Sequence, residues 1–507
     1  MCADSLLIVH TGKDGAFVDG AQAATDHIFE TIQEADRIVL HFHGGLVDAQ
    51  GGKQIAARLD PVYRAAGAQP IFFVWESGLL EVLHHNLSEI AGEDFFKLLL
   101  THVLKVAMGK VYEGAGQGGR GEALAMPKNI AIHVELARRD SGEEPYSNVK
   151  TPNNVSALTD DEKAEFQASL SDDTDFTETV QAIADAVLPQ KQVGRSRGIE
   201  TRVRLSARTL LSPDVVEDLA SEVRQANQAG ARGVLPTAFF IKKAVTVLER
   251  VISRFGSKRD HGIYCTIVEE LLREFYVANV GVKVWAAMKG ETQGTFANGP
   301  GVRGGRYVAG KLLEMIAAGK QPKVTVVGHS TGAVFINNLL AHLQAVRESS
   351  NNAAIRGFAL KHVVFLAPAC TIADFSKYVT EPFQGTSNLF ETFRLFTMTD
   401  EAEQHDVLVP YVYLRSLLYF ISGVLEPGTD GRSTPDVPMV GMKRFYGDGT
   451  FTGADIDAVR TFVQGPERAV WAPTTGGGKG LVSDAVSHTA FDDDRATLES
   501  ISAIIRD

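Results

Sequence analysis

The run Val-Val-Gly328-His329-Ser330-Thr331-Gly332 sets a serine between two glycines at G-x-S-x-G spacing. A serine alcohol is a weak nucleophile, and this spacing suits a strained turn that exposes its oxygen. The chain carries the pattern twice, since Gly194-Arg195-Ser196-Arg197-Gly198 also fits. Context separates the copies. Ser330 follows the β-branched run KVTVV and opens the apolar stretch GAVFINNLLAHL, which predicts strand, turn and helix. A helix starting there aims free N–H groups and its positive dipole end at the serine. Ser196 has neither a strand pattern before it nor a helix pattern after it, and reads as a basic surface loop.

Three further groups could serve such a serine. His43-Gly44-Gly45-Leu46 directly follows the apolar run Arg37–Phe42. Glycines there leave backbone N–H groups open to a substrate. With the N–H of Thr331 they could hold the negative oxygen of a tetrahedral intermediate. The bland alternative is a tight strand-to-helix turn that needs glycine. The base is sought among the histidines. His488 sits in a loop before the last helical pattern, while His41, His43, His329 and His342 fall in strand, turn or helix positions, and His405 is a reserve. The acid that would fix the tautomer of this base is read as Asp400, two residues beyond the apolar run Phe393–Met398. Glu401, Glu403 and Asp406 compete with it.

These residues together resemble the α/β-hydrolase family: a strand–HGG–helix–strand opening, a GHSTG turn, an acid after a later strand and a histidine before the last helix. The resemblance covers residues 1–78 and about 279–507. It implies Ser330 as nucleophile, His488 as base, Asp400 as acid, and Gly44, Gly45 and Thr331 near the oxyanion. Leu46 stands where some members carry a third glycine, and the stretch before the GHSTG turn is far longer than that fold requires.

The elements that must position these residues are legible as short apolar runs. Leu6–His10, Arg37–Phe42, Ile71–Trp75, Lys323–Val327, His362–Leu366, Phe393–Met398 and, more weakly, Arg468–Trp471 read as buried strands. Helical patterns lie between most of them, at Thr25–Glu34, Lys53–Ala65, Gly332–Val346 and Asp493–Ile505. This alternation predicts an α/β fold, a mostly parallel, doubly wound sheet. Between Trp75 and Lys323 no strand pattern occurs, and most of the interval reads as helix. The expected organisation is a first core part, 1–78, a mainly helical cap insertion, 79–278, and a second core part, 279–507. Pro410–Val424 reads as one further apolar helix.

Composition bounds the rest. The 507 residues are 44% hydrophobic and 22% charged, the balance of a globular chain rather than a disordered or multi-pass membrane one. With 50 Lys and Arg against 62 Asp and Glu, the net charge of −12 disfavours nucleic acid and anionic membranes as partners. Three cysteines make no disulfide framework, and no leader or membrane-spanning pattern is evident, so a cytoplasmic location is expected. Asp160–Asp185 holds nine acidic residues and Lys191–Arg208 six basic ones, read as solvated faces or as a recruitment patch for a charged partner. Gly476–Gly480 lacks the Ser/Thr of a phosphate loop, and His41, His43 and Asp48 lack a matching ligand set, so neither cofactor nor metal is expected. The expected activity is a serine carboxylic-ester hydrolase on a small-molecule or lipid ester. Its alternatives are a lipase at an interface, or an effector whose helical insertion docks a second copy or a protein partner.

Overall fold

A computed structural model of the chain describes residues 6–45, 47–75, 79–116, 129–188, 210–228, 235–276, 280–298, 301–384, 388–427, 436–447 and 449–507. Ser196, the basic run 191–208, Leu46 and the segment 76–78 lie outside the described residues.

Seven strands form one parallel sheet: β1 (Ile8–Thr11), β2 (Arg37–Phe42), β3 (Gln69–Trp75), β4 (Lys323–His329), β5 (Leu360–Leu366), β6 (Phe390–Met398) and β7 (Ala469–Ala472), in the order β1-β3-β2-β4-β5-β6-β7. Each apolar run read from the sequence falls within or against one of these strands. Both faces of the sheet are covered, as continuous apolar strands require. Ile38, Leu40 and Phe42 of β2 join one core with Ile28 and Phe29 of α1 (Ala21–Ile32). Val39 faces the other way, onto Ile55 and Leu59 of α2 (Ala49–Ala65) and the Ile501 and Ile505 side chains near the C-terminus. Strand alternation thus supplies two cores from one run of residues.

Strand order reverses between β2 and β4. From β2 the chain steps outward to β3, and from β4 it steps the opposite way through β5, β6 and β7. Loops leaving the carboxyl ends of strands on either side of such a reversal diverge and open a crevice. Phe42 of β2 pairs with Gly328 of β4. The same number of residues further on, Gly44 and Ser330 leave the sheet side by side.

Between β3 and β4 the described residues form helices and no strand. Local signals start several of them. Thr159 and Glu162 form a reciprocal capping box on the helix Asp160–Ser171, and the Asp173 carboxylate caps Thr174–Val187. Their apolar faces share one continuous core with the α1 side of the sheet, in which Phe95 packs edge-on against Phe240 and Phe275. Among the described residues no helix is long and apolar enough to cross a membrane.

The stretch Pro410–Val424 departs from expectation. Its helix begins only at Leu417, where the Ser416 hydroxyl accepts the Tyr419 N–H, and it relaxes into a π-turn over Ile421–Leu425. Upstream, Tyr411 adopts φ 67° and Val409 bridges Tyr413, so apolar residues there serve a tight turn.

Candidate active site

Ser330 sits between the end of β4 and helix α3 (Gly332–Ser349) with φ 54°. A non-glycine residue in this left-handed region is strained and persists only where its surroundings fix it. Those surroundings are visible. The Ser330 N–H donates to the Leu366 carbonyl at 2.8 Å, and its carbonyl accepts the Ala369 N–H at 3.1 Å. Both flanking glycines are sterically required. A Cβ on Gly328 would stand 2.6 Å from the Gly332 carbonyl oxygen, and one on Gly332 would stand 2.2 Å from that of Phe42. Thr331 is the N-cap residue of α3, so its N–H lies among the donors that a helix start leaves without an intrahelical partner.

His488 arrives from the loop beyond β7. Its Nε2 lies 2.9 Å from Ser330 Oγ, and both residues are almost wholly buried, 2% and 1% exposed. Burial, reinforced by the neighbouring His329, pushes the imidazole down to about 3, so the ring is neutral near pH 7 and free to accept a proton.

Gly44 and Gly45 reach the same point. A Cβ on Gly44 would lie 3.1 Å from Ser330 Cβ, and one on Gly45 would lie 2.9 Å from Thr331 Oγ1. The buried His43 ring orients this loop. Its Nε2 faces the Trp75 N–H at 3.3 Å, so its proton sits on Nδ1, which donates to the Gly44 carbonyl at 2.7 Å. In a trans peptide the Gly45 N–H must then point away from His43.

Asp400 is elsewhere. Its carboxylate accepts from the Tyr419 hydroxyl at 2.8 Å and from Gln404 Nε2 at 2.7 Å, and makes no hydrogen bond to His488. Asp400 opens the short helix α4 (Asp400–His405), which Thr399 caps, and the turn aims its side chain back toward Tyr419. The chain reaches His488 only after this helix, where Asp406 Oδ2 accepts the His488 main-chain N–H at 2.8 Å. Among the expected acids, Asp406 rather than Asp400 is therefore the one at the histidine. Burial raises its carboxyl above the ordinary range, partly opposed by this hydrogen bond. The reserve base, His405, bonds the Glu401 carbonyl of its own helix at 2.7 Å.

Residues given no role in the sequence analysis complete the surroundings. The His329 ring lies 5.6 Å from that of His488, nearly parallel to it, and beyond it stand Asp492 and Arg58. Further out, His261 is wholly buried between Glu269 at 2.8 Å and Asp436 at 2.9 Å, and Glu269 also meets Arg254 at 2.7 Å. Arg254, His261 and Glu269 are close in sequence, while Asp436 lies 175 residues from His261. Among the described residues no three His, Cys, Asp or Glu side chains group as a metal site.

No family model, no curated protein and no solved structure matches the chain.

Proposed function

We propose that this chain is a serine hydrolase of the α/β-hydrolase type that cleaves carboxylic esters. One observation carries the reading: a strained, buried Ser330 whose Oγ lies 2.9 Å from His488 Nε2 at the start of a helix. Ser330 Oγ bonds to the ester carbonyl carbon while its proton passes to His488 Nε2. The N–H groups of Thr331 and Gly45 receive the developing oxyanion. The carbon–alkoxy bond then breaks, and His488 returns the proton to the departing alcohol. Water then adds to the acyl carbon as its proton passes to His488, the Oγ–carbon bond breaks, and His488 returns the proton to Ser330 Oγ, releasing the acid. Asp406, beside the His488 main chain, is the carboxylate that would stabilise the transient imidazolium.

Residues 79–278 are read as a cap over this site. In support, the helices between β3 and β4 share one core with the sheet, and the serine is shielded from solvent. A closed, dry site strengthens every electrostatic contact made in the transition state. The test is turnover of a p-nitrophenyl ester series from acetate to laurate. Hydrolysis that disappears in Ser330→Ala supports the reading, and hydrolysis that survives the substitution removes it.

A further inference from the structure

His329 lies inside the G-x-S-x-G turn, yet its side chain points away from Ser330 Oγ toward the main chain of His488. Its Nε2 lies 2.9 Å from the His488 carbonyl oxygen. A carbonyl only accepts, so Nε2 carries a proton and donates it. The opposite edge of the ring, Nδ1, faces Asp492 Oδ2 at 3.6 Å, and Asp492 Oδ1 accepts from Arg58 Nη2 at 2.9 Å. Arg58 is on α2, Asp492 on the turn Ala490–Asp492, and His329 at the end of β4. Three elements of the core therefore converge on one carbonyl.

Asp406 takes the N–H of that same residue. We infer that His329 is a positioning residue for His488, so that with Asp406 it holds the base by both of its main-chain polar groups. The inference rests on the reading of Ser330 and His488 as nucleophile and base. The arrangement answers a mechanical need. His488 sits on a loop, and a displacement of about 1 Å at a reacting group can cost roughly 100-fold in rate. A loop held only through one N–H could swing the ring off Ser330 Oγ.

The charge on His329 gives the clamp a second signature. Burial works against its imidazolium, but Asp492 and the His488 carbonyl outweigh it and lift the ring above its ordinary value. The charged and titratable groups acting on it are Asp492, Arg58 of α2, His41 of β2, His43 just beyond that strand, and His488. His41 and His43 are pushed down by burial to about 3 and about 4, so they stay neutral across the neutral range. His329, raised above the ordinary histidine value, is then the last of these rings to lose its charge as pH rises. Its positive charge opposes a proton on the adjacent His488, so its loss at high pH should speed proton transfer from Ser330.

The experiment is the rate at which a fluorophosphonate labels Ser330 in the full chain, followed against pH. The Oγ–phosphorus bond forms, fluoride leaves, and the serine proton departs through His488. His329→Leu, which cannot donate, should label about 10- to 100-fold more slowly while the protein remains folded. His329→Gln, which can place an amide N–H near the same carbonyl, should recover most of that loss and lack the upper pH limb. Should His329→Leu fail to fold, Asp492→Asn serves instead, because it should move the upper limb to lower pH. Folded His329→Leu labelling at the wild-type rate, or an upper limb unmoved in Asp492→Asn, overturns the inference while leaving the nucleophile in place. A folded wild-type protein that takes no label overturns both.

Discussion

Asp406 accepts the main-chain N–H of His488 at 2.8 Å, while Nδ1 of the same ring has no protein partner among the described residues. The carboxylate thus meets the main chain of the residue whose ring nitrogen is free. In the proposed mechanism His488 takes the proton of Ser330, Nδ1 then carries a proton as well, and Asp406 is the carboxylate proposed to face it. Hydrogen bonds of this kind are often loose before substrate binds and tighten afterward.

This relationship separates the two acids. Asp406→Asn can still accept the main-chain N–H but carries no charge, and should slow labelling of Ser330 by about 100-fold or more. Asp400→Asn should change the rate by less than about threefold, since its partners are Tyr419 and Gln404. Labelling rates of the two variants side by side decide the assignment. Equal losses, or a larger loss in Asp400→Asn, would return the role to Asp400.

His488 should give the rate no limb near the ordinary histidine value of about 6.5. Burial and the adjacent His329 hold His488 at about 3, so the base limb of its labelling rate falls in the acid range. A profile whose only rise is centred between pH 6 and 7 would contradict the buried, neutral base described here.

Stability should fall on mild acidification. His41, His43 and His488 have folded values of about 3, about 4 and about 3, below their unfolded values. Their contribution is fully present above about pH 6.5 and drains away as pH falls through the folded values. His329 runs the other way, because its folded value is raised, and its contribution is lost only as pH rises. Unfolding near pH 5 should therefore take up protons, read as a denaturation midpoint that drops from pH 7 to pH 5. A midpoint that climbs over that interval would count against the buried neutral rings.

The remote cluster around His261 predicts a purely structural effect. His261 joins Glu269 of the helix Ile263–Leu271 to Asp436, 175 residues away in the chain. His261→Leu leaves two buried carboxylates facing an apolar side chain and should cost about 3–5 kcal/mol in urea unfolding. A loss under about 1 kcal/mol would mean that the cluster contributes little to holding the helical region on the sheet.

Much of the frame was legible in the residues. All seven strands announce themselves because a parallel sheet buried on both faces needs unbroken apolar runs, and RIVLHF matches β2 residue for residue. Ser330 stood out because the strand and helix around it are local patterns, which Ser196 lacks. The acid was not legible. Asp400 and Asp406 lie on one six-residue helix and its exit, and only the turn of that helix decides which carboxylate meets His488. His329 was set aside as a turn residue, since nothing local shows that its ring reaches a carbonyl 159 positions downstream. At His261 the bond to Asp436 was invisible for the same reason, being made by tertiary packing across 175 residues.

The most direct test of the account is exposure of the intact protein to a fluorophosphonate, with the modified residue mapped by mass spectrometry. The account predicts a label on Ser330, lost in Ser330→Ala and strongly slowed in His488→Ala. A folded protein that takes no label, or takes it on another residue, would contradict the assignment of Ser330 and His488 as nucleophile and base.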